Sequence, residues 1–439
     1  MHMKVAMVGA GYVGLVSGAC ISEFGVDVSC VDKDKLWIES LDRGRIPVYE
    51  PGLEQIVKSN REKGRLGFTN DMASAVRGAD IVFIAVGTPS RRGDGYADLS
   101  FVHEAAREVA RFLQGYTVVV NKSTVPVGTA RSVKQLIKDV NPKAQFDVAS
   151  NPEFLREGSA INDFMRPDRV VIGVDSDRAE ALLRELYRPL YLIETPMVIT
   201  DLETAELIKY ASNAFLATKI SFINEISNLC ERCGANVQDV SKGMGLDRRI
   251  GPKFLHAGPG FGGSCFPKDI RALVKIFQDR GLVARIPEAV LQVNSAQRSW
   301  MVQKIREALG GREYGKTIGF LGLTFKPETN DMREAPSLYI IPPLLEGGAV
   351  VRATDPKGID EARKLISGVE YFDDPYAACE GTDAVVIMTE WNEYRALDLG
   401  RLKQLMKGFS FIDLKNVYRL EDVTGVGFTY TGVGTGTKR

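Results

Sequence analysis

The stretch Gly260-Phe261-Gly262-Gly263-Ser264-Cys265-Phe266-Pro267-Lys268-Asp269 sets one cysteine among main-chain amides. Its glycines let the backbone approach a ligand closely. Pro267 suits the first turn of a helix, where its missing N–H would have no partner anyway. The spacing predicts a helix over 267–277 with Cys265 at its N-terminus. Free amides and the positive end of the helix dipole favour thiolate over thiol there, and the thiolate is the nucleophile. Asp269 follows one turn later. A buried cysteine in a glycine-rich turn is the bland alternative; the glycines, the helix start and the nearby acid together favour a reactive thiol.

Other residues could serve such a thiol. Lys209 and Asn213 share a helix face at i, i+4, and a lysine in so apolar a helix needs a reason. Glu153 and Glu157 have the same spacing and are expected to present two carboxylates on one face of a short helix. Lys326 and Arg333, at and beyond a strand end, are candidate phosphate contacts. Histidine is limited to His103 and His256 once Met1-His2 is set aside as a cloning scar, so a histidine base is poorly supplied. Cys230 and Cys233 form C-x-x-C without a second pair, and no metal site is expected.

The elements that must position these groups follow from the pattern of the chain. Lys4 to Val8 reads as a strand, Gly9-Ala10-Gly11-Tyr12-Val13-Gly14 as a turn into a helix that stops at Gly25, and Val26 to Val31 as a second strand ending at Asp32. That is a dinucleotide fingerprint in context, with glycines for the pyrophosphate and a carboxylate for the adenosine ribose. Asp32 would repel a 2′-phosphate, so NAD is expected rather than NADP, although Lys33 and Lys35 blur the preference. Strands at 81–86, 117–121, 146–149 and 170–174 continue a parallel, doubly wound sheet. Ligands in such sheets lie beyond the carboxyl ends of the strands. Found there are Gly87-Thr88-Pro89, Ser123 to Gly128 with Thr124, and Asn151-Pro152-Glu153-Phe154-Leu155-Arg156-Glu157-Gly158.

From Thr200 the period becomes helical. Thr200-Asp201-Leu202-Glu203 reads as a capping box, and the helix then runs to Gly234 without a proline. It carries Leu207, Ile208, Phe215, Leu216, Phe222, Ile223 and Ile226, enough to be mostly buried. A second helix is expected over 288–309. After Gly315 a second alternating block begins, with strands at 316–323, 350–353, 384–388 and 409–412. It lacks G-x-G-x-x-G and is not a second dinucleotide site of the same kind. The expected fold is α/β, with two Rossmann-like doubly wound sheets joined by a long central helix and a helical middle section. The domains would span 1–199, 200–312 and 313–439.

Lysine plus arginine and aspartate plus glutamate are each 56 in the 439 residues, so no global field draws the protein to nucleic acid or an anionic membrane. Six cysteines without a signal peptide or a transmembrane-length apolar run read as reduced thiols in a cytoplasmic protein.

With Gly262 to Asp269, Asn151 to Leu155, and Phe325-Lys326 followed by Arg333 in view, essentially the whole chain resembles the UDP-glucose/GDP-mannose dehydrogenase family. The resemblance implies that Cys265 is the nucleophile and that Lys209, Asn213, Asp269, Glu153 and Thr124 are its catalytic neighbours. It also implies that Glu153, Phe154, Leu155, Lys209, Asn213, Arg249, Phe254, Gly262, Phe266, Phe325 and Lys326 meet the nucleotide sugar, UDP-glucose, with Arg249 reaching the partner subunit's site in a homodimer or larger assembly. To the cofactor it assigns Tyr12, Val13, Lys35, Thr88, Thr124, Glu157, Lys268 and Arg333, beside Gly9, Gly11, Gly14 and Asp32. His256 departs from the lysine some members have near the substrate phosphates. The implied reaction takes an alcohol to a carboxylate with two NAD in succession, through a thiohemiacetal and a thioester on Cys265. A GDP-mannose or UDP-N-acetylhexosamine dehydrogenase, a non-catalytic nucleotide-sugar sensor and a two-electron hydroxyacid dehydrogenase are the competing readings. The last two leave the thiol unexplained.

Overall fold

Two runs of alternating strand and helix form two separate sheets in the computed structural model, which describes residues 3–91 and 95–435. Met1 and His2 lie outside them. The first sheet comprises β1 (Lys4–Val8), β2 (Asp27–Val31), β3 (Leu66–Thr69), β4 (Ile81–Ile84), β5 (Tyr116–Asn121), β6 (Gln145–Ser150), β7 (Val170–Val174) and β8 (Met197–Thr200), in the order β3-β2-β1-β4-β5-β6-β7-β8. The second comprises β9 (Thr317–Leu321), β10 (Val350–Thr354), β11 (Val369–Tyr371), β12 (Ala384–Ile387), β13 (Ser410–Asp413) and β14 (Thr429–Gly432), in the order β11-β10-β9-β12-β13-β14. Central strands such as β4, Ile-Val-Phe-Ile, and β12, Ala-Val-Val-Ile, are buried at every position, as strands covered by helices on both faces must be. The expected α/β class and paired Rossmann-like sheets are what the chain adopts. The first sheet is not wholly parallel, however: β6 and β7 pair antiparallel, through Ala149 with Val174 and Ser150 with Gly173.

The chain divides into two compact units. One runs to Ser212 and includes Lys275–Leu282; the other comprises Asn213–Val274 and Val283 onward. The helix Leu202–Cys233 contributes its first turns to one unit and the remainder to the other. Its cap is not the expected one. Thr200 ends β8, and Asp201 accepts the amide of Thr204 at 2.7 Å, while Glu203 pairs with Arg131 at 2.8 Å. Threonine and aspartate are both good caps, and the strand claimed the threonine. Nor is this helix mostly buried: Ile223 is enclosed, but Leu207, Phe215 and Phe222 are exposed. The second long helix begins at Arg285 rather than 288, because Pro287 is tolerated in a first turn.

Candidate active site

In the first unit, the turn after β1 is drawn onto β2. Gly9 donates its amide to Val31 O (2.8 Å), and Ala10 donates its own to Asp32 Oδ2 (2.8 Å). Gly9 has φ 98°, and a Cβ on Gly14 would lie 1.8 Å from Gly9 O, so neither position accepts a side chain. A Cβ on Gly11, by contrast, would meet nothing within 4 Å. An open glycine edge beside a half-buried strand-end carboxylate fits a dinucleotide. Val13 lies inside the helix Tyr12–Glu23, and Lys35 opens the helix Lys35–Asp42. Tyr12 is otherwise engaged. Its hydroxyl donates to Glu50 Oε2 at 2.5 Å, and Glu50 also accepts the amides of Gly158 (2.6 Å) and Ala160 (2.8 Å), capping the helix Ala160–Met165. Burial, with Glu50 adjacent, pushes the Tyr12 phenol far above its usual range.

Beyond the neighbouring strands, Thr124 is buried and its carbonyl accepts the Thr88 hydroxyl at 3.0 Å. Glu153 and Lys209 form a buried ion pair of 3.1 Å, their side chains 6% and 4% exposed. The Phe154 ring lies 3.5 Å from the Arg169 guanidinium and 5.2 Å from Lys209 Nζ. The expected short helix presenting Glu153 with Glu157 does not form; residues 151–156 have no regular structure. Pro152 biases its predecessor away from helix, and the Glu153 carboxylate takes the Leu155 amide at 2.6 Å. Glu157 is half-buried in the following turn. Glu206 accepts the amides of Gly128 (2.6 Å) and Ala130 (2.8 Å), closing the loop that carries Thr124, and burial pushes its carboxyl up to about 7.

In the second unit, Cys265 is half-buried immediately before the helix Phe266–Gln278, and its carbonyl accepts the Asp269 amide at 2.8 Å. The sequence places this helix start within one residue. Ser264 Oγ stands 3.5 Å from Cys265 Sγ. Asp269 is 1% exposed and accepts Asn213 Nδ2 and Lys268 Nζ, each at 2.6 Å. Gly262 and Gly263 are pressed against a second segment. A Cβ on Gly262 would lie 2.3 Å from Glu334 O, one on Gly263 would lie 2.8 Å from the Phe325 ring, and the Gly263 amide donates to Arg333 O at 2.8 Å. Lys326 Nζ lies 5.2 Å from the Phe325 ring, and the Phe254 and Phe266 rings are 6.1 Å apart.

Sequence reasoning missed the residues that hold this loop. From the helix Arg285–Ala308, Asn294 accepts the Phe261 amide (2.8 Å) and donates to its carbonyl (3.1 Å), Gln297 donates to Gly258 O (2.9 Å), and Arg298 donates to Phe261 O and Glu334 O (both 3.0 Å). Asn224 accepts the Gly258 amide at 2.8 Å. The available signal was three polar residues at i, i+3 and i+4 on one helix, all of them buried. Two assigned arginines are instead engaged locally: Arg249 pairs with Asp247 (2.6 Å), its side chain 90% exposed, and Arg333 pairs with Asp331 (2.8 Å). Among the described residues no group of three or more His, Cys, Asp or Glu could hold a metal ion, and no helix is long and apolar enough to cross a membrane.

A glycine-turn sheet that fits a dinucleotide, a second sheet of the same order without that turn, and a cysteine heading a helix define a nicotinamide-dependent dehydrogenase of one lineage. The chain belongs to the UDP-glucose/GDP-mannose dehydrogenase family, whose NAD binding domain, central domain and UDP binding domain match residues 3–191, 203–296 and 319–420. It is 57% identical to UDP-glucose 6-dehydrogenase of Rhizobium meliloti, over 98% of this chain and 99% of that one. UDP-glucose 6-dehydrogenase TuaD of Bacillus subtilis is 51% identical, over 98% and 93%. A UDP-glucose dehydrogenase structure from the archaeon Pyrobaculum islandicum matches with a TM-score of 0.92 at 40% identity, covering 100% of this chain and 98% of that one.

Proposed function

We propose that this protein oxidises UDP-glucose to UDP-glucuronate by removing four electrons at one cysteine. NAD dependence and the UDP-glucose substrate follow from the family and from full-length relatives that carry that activity in their names. The observation that supports the covalent route is Cys265 at the head of its helix with the enclosed Asp269 one turn on. When bound, NAD accepts the hydride of each oxidation, two per sugar; Gly9, Gly11, Gly14 and Asp32 are the residues that would hold it. Asp269, directly or through a water it shares with Thr124, takes the proton of the C6 hydroxyl, and Lys209 stabilises alkoxide character. The Cys265 thiolate adds to the resulting aldehyde, and Lys209 and Asn213 donate to the oxyanion of the thiohemiacetal. Oxidation of that adduct leaves a thioester. Glu153 activates the water that hydrolyses it, releasing the carboxylate and the thiol. Arg249, Phe254, Phe325 and Lys326 are assigned to the nucleotide sugar and Arg333 to the cofactor. The chain is read as three parts, 1–199, 200–312 and 313–439.

The test is the yield of NADH per sugar across UDP-glucose, GDP-mannose and UDP-N-acetylhexosamines. Two NADH per UDP-glucose, with far lower kcat/KM for the others, is expected; one NADH per sugar would sink the four-electron reading. Cys265→Ser should bind the sugar normally and form no uronate at steady state, and turnover at the wild-type rate would remove the covalent route.

The working unit is proposed to be at least a dimer of this chain. Phe215, Phe222 and Leu229 recur every seventh residue on one helix and are 67%, 46% and 59% exposed, an apolar stripe that a second copy would cover. Arg249, exposed on its own subunit, then serves the partner's site. Mixing Arg249→Ala with Cys265→Ser should restore activity on subunit exchange, since one site of each hybrid keeps both groups. No recovery despite demonstrated exchange would place Arg249 elsewhere. None of the six cysteines is joined in a disulfide, which suits the reducing cytoplasm proposed for the enzyme.

A further inference from the structure

A third buried charge acts on the Glu153–Lys209 pair. Lys122, just past β5, is 4% exposed, and its Nζ donates to Asn151 Oδ1 at 2.9 Å. The Tyr187 hydroxyl donates to the same oxygen at 2.6 Å and lies 3.4 Å from Lys122 Nζ. Asn151 is fixed on its other edges: its Nδ2 donates to Val171 O (2.8 Å) and its main-chain amide to Asn121 O (2.9 Å). The Phe164 and Tyr187 rings stand 5.7 and 6.0 Å from the ammonium. The charged groups facing it are Glu153, which attracts it, and Lys209, which repels it. Burial brings the Lys122 pKa down to about 8, with Lys209 adding to that effect and Glu153 opposing it.

Burying an ammonium costs several kcal/mol before its interactions are counted. If Lys122 only tethered Asn151, an uncharged donor would do so without that cost, as the Tyr187 hydroxyl already does. Pro152, with its fixed φ, is all that separates Asn151 from Glu153. A restraint on the Asn151 side chain therefore passes directly to the carboxylate.

We propose that Lys122 is a positioning residue for thioester hydrolysis, fixing the Asn151-Pro152-Glu153 segment through Asn151 and attracting the ionised Glu153 carboxylate beside the Lys209 ammonium. The proposal rests on the reading of Glu153 as the hydrolytic base.

Stopped-flow NADH formation on the full-length enzyme tests it, with Lys122→Met removing tether and charge, Lys122→Gln removing charge alone, Tyr187→Phe removing the second tether, and Glu153→Gln as reference. Lys122→Met is expected to keep the NADH burst, to lose about 10- to 100-fold in steady-state kcat, and to hold both KM values within about threefold. Its acidic pH–rate limb should move up, because an attraction for the carboxylate form is lost. Lys122→Gln should show the same limb shift with a smaller rate loss, and Tyr187→Phe a small rate loss with the limb in place. If Lys122→Met fails to fold, the Gln and Phe variants carry the test. Wild-type kcat and an unmoved limb in Lys122→Gln, or a loss confined to KM, overturn the proposal. Where Glu153→Gln stalls after the burst and the Lys122 variants do not, only the proposal falls. Where Glu153→Gln turns over at the wild-type rate, the base reading falls and takes the proposal with it.

Discussion

The two sheets share the strand order 3-2-1-4-5-6, counted from their own first strands, and each has an aspartate just beyond its second strand. Their surroundings differ completely. Asp32, after β2, is half-buried and accepts two amides, from Ala10 and Asp34. Asp355, after β10, is 2% exposed and accepts the amides of Leu323, Thr324, Lys357 and Gly358, the Thr324 hydroxyl and the Trp391 indole N–H. The first glycines past β1 and β9 are alike, Gly9 with φ 98° and Gly322 with φ 95°, and a Cβ would be blocked at both, 2.7 Å from Ala85 O and 2.4 Å from Thr389 Cβ. The turns diverge two residues on, where Gly11 has an open side and the second sheet has Thr324, buried and bonded to Asp355. Topology thus brings a carboxylate to the same place twice, and the neighbouring donors decide its use. Left with spare lone pairs, it can bind a ribose; saturated by its own chain, it ties the strand ends together.

That contrast can be broken by experiment. Asp355→Asn strands several buried donors and should destabilise the second unit by about 3–5 kcal/mol with little direct effect on NAD affinity; a wild-type denaturant midpoint would refute the structural role. Gly322→Ala should cost about 2 kcal/mol or more, since φ is 95° and Thr389 blocks the Cβ. Gly11→Ala should leave the melting temperature unchanged and weaken NAD binding by filling the open edge, which titration of NAD with each variant would check. Asp32→Ala should raise the Kd for NAD about tenfold and narrow the preference over NADP, at a stability cost under about 1 kcal/mol. The smallest effect concerns Asp413, whose carboxyl burial raises to about 6 from the ordinary 3.8. Between those values the folded chain holds a proton that the unfolded chain has released. The contribution of Asp413 to stability should therefore fall as pH rises from about 4 to 6 and level off above, so Asp413→Asn should lessen the slope in that window and leave the part due to Glu206, which runs on to about 7.

What the sequence disclosed was local and chemically unambiguous. The glycine turn, Asp32 and the helix start at Cys265 each depend on a few adjacent residues, and each lies where its pattern indicates. The strands β3, β8, β11 and β14 escaped notice because they are the edge strands of the two sheets, only partly buried, and so need no continuous apolar run of the kind that marks the equally short β4 and β12. Glu153 and Glu157 misled because i, i+4 spacing has meaning only inside a helix, and Pro152 with the Glu153–Leu155 bond prevents one. Asn294, Gln297 and Arg298 were invisible as site residues because their value lies in which loop they meet, a tertiary fact. Lys122 was obscured in the same way, lying beside a segment already marked for Thr124.

One feature of the helix Leu202–Cys233 bears on how such a chain can vary. Glu206 closes the Thr124 loop and Lys209 pairs with Glu153, so two obligations fall within a single turn. A substitution there disturbs one contact. An inserted or deleted residue between them would rotate one partner about 100° against the other and shift it roughly 1.5 Å along the axis, so that both could not be kept. Length change in natural or engineered descendants should therefore be tolerated in the loops and excluded from this turn, which acts as a fixed phase mark along the chain.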